Sequence, residues 1–280
     1  MIQSIMEGLS MKISIVTPCY YNGMNIPETY EVIKRDVFDV CKDIDFEWVL
    51  VDDGSKDDTL EQALKIQQKD SRTKVVKLSR NFGEFRAIVA GMSKATGDAV
   101  VVISADLQDP PELIPKMIES WKKGNLVNLA VRKGREESKL KNFFADTYYK
   151  LVRKWVEPNY PKRGFDFFLI DKRVADELVE MQEKNSSIYL QLIWLGYTPT
   201  EIEYTRRERE KGKSMWTYSK RINLFIDTFV VFSHKPIRFI SGSGFFLSLS
   251  GLVFAIYFLI DKCTNDILPG WTSLMVAMLL

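Results

Sequence analysis

The stretch Ala99-Val-Val-Val-Ile-Ser-Ala-Asp-Leu-Gln-Asp-Pro-Pro-Glu112 joins an apolar run of buried-strand type to a short acidic turn, which Pro110-Pro111 ends. Asp106 and Gln108, two residues apart in that turn, can face one Mg²⁺ or Mn²⁺ with oxygen ligands and leave the remaining positions to substrate phosphates. Upstream, Glu47-Trp-Val-Leu-Val-Asp-Asp-Gly-Ser55 repeats the plan, an apolar run with carboxylates at its carboxyl end. Two strands that deliver acids to one sheet edge point to a nucleotide site.

Around these two segments the apolar pattern predicts strands at Lys12–Thr17, Glu47–Val51, Lys74–Leu78, Ala99–Ile103 and Asn128–Val131. Helices are predicted at Pro27–Lys42, Asp57–Lys69, Glu84–Ala95 and Pro111–Lys122. This βαβ rhythm gives an α/β fold with a parallel sheet covered by helices, its ligands lying outside the carboxyl ends of the strands. Beyond residue 135 helices follow at Lys139–Trp155, Asp171–Met181 and Ser187–Leu195, with an edge-type strand at Thr198–Tyr204.

With 280 residues, 46% hydrophobic and a net charge of +2, the chain has room for one sizeable domain and an appendage, and its balance argues against a nucleic-acid binder. Three scattered cysteines indicate neither a disulfide framework nor a zinc site. Residues 1–10 carry no secretory cleavage pattern. Phe239 to Ile260 runs 22 residues without a charge, enough for a transmembrane helix. A second apolar run, Ile267 to Leu280, is expected to be the start of another. The basic residues Lys211, Lys213, Lys220, Arg221, Lys235 and Arg238 before the first span favour a cytoplasmic N-terminal domain. Between Trp216 and Ser233, Ile222, Phe225, Ile226, Phe229, Val230 and Phe232 lie on or near one side of a helix and form an apolar stripe suited to an interfacial helix; packing on the soluble domain is the alternative.

Asp52 and Asp53 can bind the base or ribose of a nucleotide, or can simply belong to an Asp-Gly-Ser turn. Asp106 can be a metal ligand or a turn aspartate before Pro110. Ser104 stands where a second turn acid would bind metal more strongly, which leaves more of the coordination to the diphosphate. The run Arg206-Arg-Glu-Arg-Glu-Lys-Gly-Lys-Ser214 offers guanidinium forks for phosphates, though solvated loops and lipid-attracted segments have the same composition. Arg132, at the end of the fifth strand, is a further cation.

Together, Val16-Thr-Pro-Cys-Tyr20, Val51-Asp-Asp-Gly-Ser55, Leu78-Ser-Arg-Asn-Phe-Gly83, Ser104-Ala-Asp-Leu-Gln-Asp-Pro-Pro-Glu112, Asp166-Phe-Phe-Leu-Ile-Asp171 and Arg209-Glu-Lys-Gly-Lys-Ser214 resemble family 2 glycosyltransferases of the GT-A (Rossmann-like) fold. The resemblance is to the polyprenyl-phosphate branch, which includes dolichol-phosphate mannose synthases and bactoprenol glucosyltransferases. It implies an inverting, metal-dependent hexosyltransferase using Mg²⁺ or Mn²⁺. It further implies that Pro18, Tyr20, Asp52 and Asp53 contact the nucleoside, with Ser55 beside them, and that Asp106 and Gln108 hold the metal. Arg132 and Arg209 would bind phosphates near Ser214, and Asp166 falls where some relatives place a candidate base. Where relatives show Tyr-Asn-Glu-Glu this chain has Tyr20-Tyr-Asn-Gly23, so Asn22 takes the place of a nucleotide-contacting acid; Met215 replaces a frequent lysine.

The expected partners are a nucleotide-diphosphate sugar, a polyprenyl (undecaprenyl or dolichyl) phosphate and the bilayer, with homo-oligomers possible and no nucleic acid. The expected layout is a cytoplasmic transferase domain over residues 1–214, a juxtamembrane helix region over 215–236, and a multi-pass region over 237–280 in the inner membrane. A family 2 transferase acting on a saccharide and a catalytically silent nucleotide-sugar binder are the other readings.

Overall fold

Short runs rich in valine, isoleucine and phenylalanine become the strands β1 (Lys12–Cys19), β2 (Asp45–Asp52), β3 (Thr73–Lys77), β4 (Ala99–Val102), β5 (Val127–Arg132), β6 (Phe165–Asp171) and β7 (Pro199–Tyr204). In this computed structural model they form one sheet in the order β3-β2-β1-β4-β6-β5-β7. The described residues are 11–133, 139–181, 187–207, 218–264, 270–271 and 274–275. They fall into two compact units, residues 1–227 and 228–280.

The sheet is parallel except for β6, which runs antiparallel to both β4 and β5. One reversed strand in seven agrees with the mostly parallel sheet that the GT-A resemblance implies, although the Asp166–Asp171 motif is not among the strands that the apolar pattern predicts. Phe165-Asp-Phe-Phe-Leu-Ile-Asp171 is buried along nearly its whole length, so it lacks the in-out alternation that marks a strand in sequence. Reversing one strand brings its first residues, Phe165 and Asp166, to the edge where β4 and β5 end.

Helices α1 (Ile26–Ile33), α2 (Thr59–Lys69), α3 (Glu84–Met92), α4 (Ile114–Lys122), α5 (Lys139–Trp155), α6 (Lys172–Glu180) and α7 (Ile188–Trp194) connect the strands. One predicted helix end and one predicted helix start change character. After α1 the chain tightens into a π-type turn at Lys34–Phe38, and Pro111–Leu113 forms a 3₁₀ turn before α4 rather than its first helical turn. On one face of the sheet Ile13, Ile15, Trp48, Leu50, Val101 and Phe167 pack with Tyr30, Ile114 and Met117. Trp48 donates its indole N–H to Thr17 (2.9 Å), so this buried ring keeps its polar atom satisfied. On the other, α3 lies against β1 and β2, and α6 against α3 and β4.

At the amino edge, Glu47 is buried and accepts hydrogen bonds from Ser14 (2.6 Å), Lys74 (2.6 Å) and both the backbone and hydroxyl of Thr96 (2.5 and 2.9 Å). Burial works against its charged form, but these donors outweigh it and hold the carboxyl down at about 2.

Helix α8 (Tyr218–Phe232) lies within the stretch Trp216–Ser233 where a helix is predicted, with Phe225, Ile226 and Val230 exposed. Phe225 also meets the ring of Tyr148 on α5 at 6.1 Å, so part of the stripe packs on the protein. Helix α9 (Lys235–Thr264) contains a 25-residue segment, Ile237–Asp261, that is long and apolar enough to cross a bilayer and only 11% buried. Among the described residues it is the one such helix. Most of the second apolar run, 267–280, lies outside them.

Candidate functional site

The parallel strands all end at one edge, so the segments that follow β1, β2, β4, β5 and β7 collect there together with the start of β6. Pro18 pairs with Val51 and Cys19 with Asp52 in register, placing Pro18, Tyr20 and the Asp52-Asp53 pair side by side. Asp53 accepts the backbone N–H groups of Phe82 (2.7 Å) and Gly83 (2.9 Å), which fixes the loop leading into α3. Asp52 accepts the Ser55 N–H through Oδ1 (3.0 Å), while its Oδ2 is buried with no hydrogen-bond partner among the described residues. A buried carboxylate oxygen without a donor is a place for a ligand N–H or O–H. Gly54 allows this turn: its φ is +70°, and a Cβ there would lie 2.5 Å from the backbone carbonyl carbon of Arg80.

Asn22 has a local role. Its Oδ1 accepts the Tyr20 N–H (2.8 Å) and its own N–H bonds Thr59 (2.9 Å), while Tyr21, at φ +57°, donates its N–H to Ser55 (3.1 Å). The missing acid of this loop has a neighbour instead. Asp58 brings its carboxylate against Gly23, into the space a Cβ would take.

After β4, the Ser104 hydroxyl lies 2.8 Å from Asp106 Oδ1 and 3.2 Å from Asp109 Oδ2, and the Gln108 N–H donates to Asp106 Oδ1 (3.2 Å). Leu107 at φ +56° puts the turn in a left-handed conformation, which non-glycine residues adopt at a cost. Thr29 of α1 donates its hydroxyl to the Ala105 carbonyl (2.9 Å) and ties the turn to the β1 side. Among the described residues no three acids, histidines or cysteines form a metal cage. The oxygen donors of Asp106 and Gln108 fit a hard cation that draws most of its ligands from a diphosphate.

Arg132, the last residue of β5, pairs with Asp166, and Arg206 lies 3.8 Å from both Asp166 and Asp109. The Nε atoms of both arginines are buried without hydrogen-bond partners among the described residues. Burial opposes the charge of Arg132, but Asp166 overrides it and leaves the guanidinium firmly protonated. Gly164, at φ +68° with the Tyr149 hydroxyl 2.3 Å from a would-be Cβ, sets the turn that launches Asp166.

The edge thus assembles Pro18, Tyr20, Asn22, Asp52, Asp53, Ser55, Asp106, Gln108, Arg132 and Asp166. Arg209 and Ser214 lie outside the described residues. Sequence reading gave no individual role to Asp109, Arg206, Tyr204 and Glu84. Asp109 is fully buried and accepts the Tyr204 hydroxyl; burial pushes its carboxyl up, and Arg206 opposes this. Glu84, the first residue of α3, accepts a hydrogen bond from Tyr189 (3.2 Å), and burial with the nearby charge of Asp166 raises it to about 7. Asp109 sits in the very segment that decides the fold; Glu84 carries no signal beyond its place after Asn-Phe-Gly.

A mostly parallel sheet with acids, an amide and arginines on its carboxyl edge gathers these groups where open α/β sheets bind their ligands. Residues 14–179 match the glycosyl transferase family 2 model, and the chain belongs to that family. It is 40% identical over 269 residues to the uncharacterized glycosyltransferase YkcC of Bacillus subtilis (strain 168), covering 95% of this chain and 83% of that protein. It is also 32% identical over 271 residues to the bactoprenol glucosyl transferase of Shigella phage SfX, covering 96% and 88%. Among solved structures, the mannosyltransferase PcManGT from Pyrobaculum calidifontis, in complex with GDP-Man and Mn²⁺, aligns with a TM-score of 0.56 at 17% identity, over 82% of this chain and 65% of that one. Glucosyl-3-phosphoglycerate synthase from Mycobacterium tuberculosis, with Mn²⁺, UDP-glucose and glycerol 3-phosphate, aligns at 0.52 and 18% over 75% of each chain. These two likenesses show a shared fold.

Proposed function

We propose that this family 2 glycosyltransferase moves a sugar from a nucleotide-diphosphate sugar to a polyprenyl phosphate at the membrane. The observation that carries the reading is the convergence of Asp52, Asp106, Arg132 and Arg206 on one sheet edge, in a chain that also has a membrane-length apolar helix. Its similarity to bactoprenol glucosyl transferases supports the polyprenyl phosphate acceptor.

In this reading the unpartnered Asp52 Oδ2 receives a base or ribose hydrogen and Tyr20 flanks the nucleoside. Asp106 and Gln108 would hold Mg²⁺ or Mn²⁺, which supplies charge neutralisation on the diphosphate when bound. A phosphate oxygen of the acceptor attacks the anomeric carbon from the face opposite the leaving group. The new carbon–oxygen bond forms as the bond to the diphosphate breaks, and its electron pair leaves with the nucleotide. A phosphomonoester has a second pKa of about 6, so the acceptor is already largely dianionic at neutral pH and needs no base. Asp166 is then a group that orients Arg132 and Arg206, and the two guanidiniums neutralise phosphate charge. Arg209 and Ser214 belong to the same phosphate-binding segment by sequence. The catalytic unit faces the cytoplasm and the apolar segment Ile237–Asp261 anchors it in the inner membrane.

Membranes carrying the protein, incubated with labelled UDP- and GDP-hexoses with and without undecaprenyl phosphate and EDTA, test this. Label entering the lipid fraction only with lipid phosphate and free divalent cation is the expected result. Nucleotide-sugar binding without transfer identifies a silent binder and overturns the reading.

A further inference from the structure

The turn that follows β4 and the chain that leaves β7 are distant in sequence, yet the structure fastens them at three points. The Tyr204 hydroxyl donates to the fully buried carboxylate of Asp109. The Arg207 N–H donates to the Gln108 carbonyl (3.0 Å), and the Arg207 side chain pairs with Glu112. Asp109 also reaches Ser104 (3.2 Å) through its second oxygen and faces Arg206 at 3.8 Å. One carboxylate therefore touches the hydroxyl that buttresses Asp106, the end of β7 and the first arginine of the basic run.

We infer that Asp109 is a positioning residue that locks the start of the basic run, Tyr204–Arg207, onto the Ser104–Gln108 turn. Donor-side and acceptor-side groups then move as one unit. The inference rests on the reading of the site as a sugar transferase, and it assigns Asp109 no contact with substrate. Its physical basis is the cost of the alternatives. A buried carboxylate is stable only with its hydrogen bonds made, and every donor it has among the described residues belongs either to the turn or to the chain leaving β7. Separating the two segments would strand Asp109, so they are expected to stay together whether or not substrates are bound. A phosphate held by Arg206 is then held at a fixed distance from the Asp106 turn, which is the orientation a displacement between two charged partners requires.

Two conservative variants test this in the full-length protein in detergent. Asp109→Asn keeps the shape but replaces the charged acceptor that faces the Tyr204 hydroxyl and Arg206 with a neutral amide. Tyr204→Phe removes only the hydroxyl. Limited trypsin digestion, read by mass spectrometry as cleavage after Arg206 and Arg207, reports the lock without any substrate. Both variants are expected to be cut there about 10-fold faster than wild type, the size of effect that losing one charge-assisted hydrogen bond gives, while cleavage elsewhere is unchanged. Unchanged cleavage at these two arginines in both variants overturns the inference. In the transfer assay, the variants are expected to raise KM for undecaprenyl phosphate about 10-fold at an unaltered donor KM. A mere loss of folded protein lowers kcat and leaves both KM values alone, and that outcome refutes the positioning role. If wild type transfers no sugar, the functional reading fails, while the digestion still decides the lock.

Discussion

Gly54→Ala is a sharp test of how the donor side is built. The new methyl would sit 2.5 Å from the Arg80 carbonyl carbon and 2.8 Å from both Arg80 Cα and Asn81 N, and all three are backbone atoms that no rotamer change can move. The residue would also have to hold φ at +70°, which costs an L-residue on the order of 1 kcal/mol. Overpacking adds about 1–3 kcal/mol, so a loss near 3 kcal/mol is expected, or roughly 6–12 °C in Tm for a domain of this size. Relief of the clash must push the Leu78–Gly83 loop away from the Asp52-Asp53 turn. That stretches the hydrogen bonds from Phe82 and Gly83 to Asp53 and tilts the turn that carries Asp52. Thermal unfolding in detergent and donor KM in the transfer assay read the two consequences, and the donor KM is expected to rise about 10-fold. A variant that melts within about 1 °C of wild type and keeps its donor KM would refute the reasoning.

Asp106→Ala is expected to reduce transfer at least about 100-fold, the scale of a lost charge-stabilising group, whereas Asp166→Asn should retain turnover and raise the acceptor KM, which steady-state kinetics separates. EDTA should abolish transfer and Mn²⁺ restore it; full activity in EDTA would remove the metal role from Asp106 and Gln108. Glu47, held at about 2 against an ordinary 4.5, contributes stability that is complete above pH 4.5 and is lost as pH falls toward 2. Glu47→Gln should therefore cost about 3 kcal/mol at pH 7 and flatten the acid limb of the stability curve measured by denaturant titration. Glu84 behaves in the opposite sense: raised to about 7, it keeps a proton that the unfolded chain gives up above pH 4.5, so its contribution falls as pH rises through that window. Glu84→Gln should remove this slope. Gly164→Ala should both destabilise the protein and impair acceptor binding, because Tyr149 leaves no room for a methyl beside the turn that launches Asp166.

Much of this molecule can be read from local pattern. The apolar runs ending in Asp52-Asp53 and Ser104-Ala-Asp106 announce strands that carry acids to a sheet edge, because parallel pairing sends every strand's carboxyl end the same way. The 22 uncharged residues from Phe239 announce a helix long and apolar enough to cross a membrane for an equally local reason, since that capacity depends on length and charge alone. β6 escaped because a strand buried on both faces has no alternation, and its direction depends on how the chain returns through α5. Asn22 stands at the site edge as its place in the motif implies, and the structure adds that its Oδ1 accepts the Tyr20 N–H of its own loop. Asp109, Arg206 and Tyr204 carry no local mark of their roles. They meet because β7 lies beside β5 and ends at the same edge as β4, and a buried carboxylate takes its donors from whatever the fold brings within about 3 Å. The kinds of groups at this site follow from neighbours in sequence, whereas their pairing follows from distances that only the closed sheet sets.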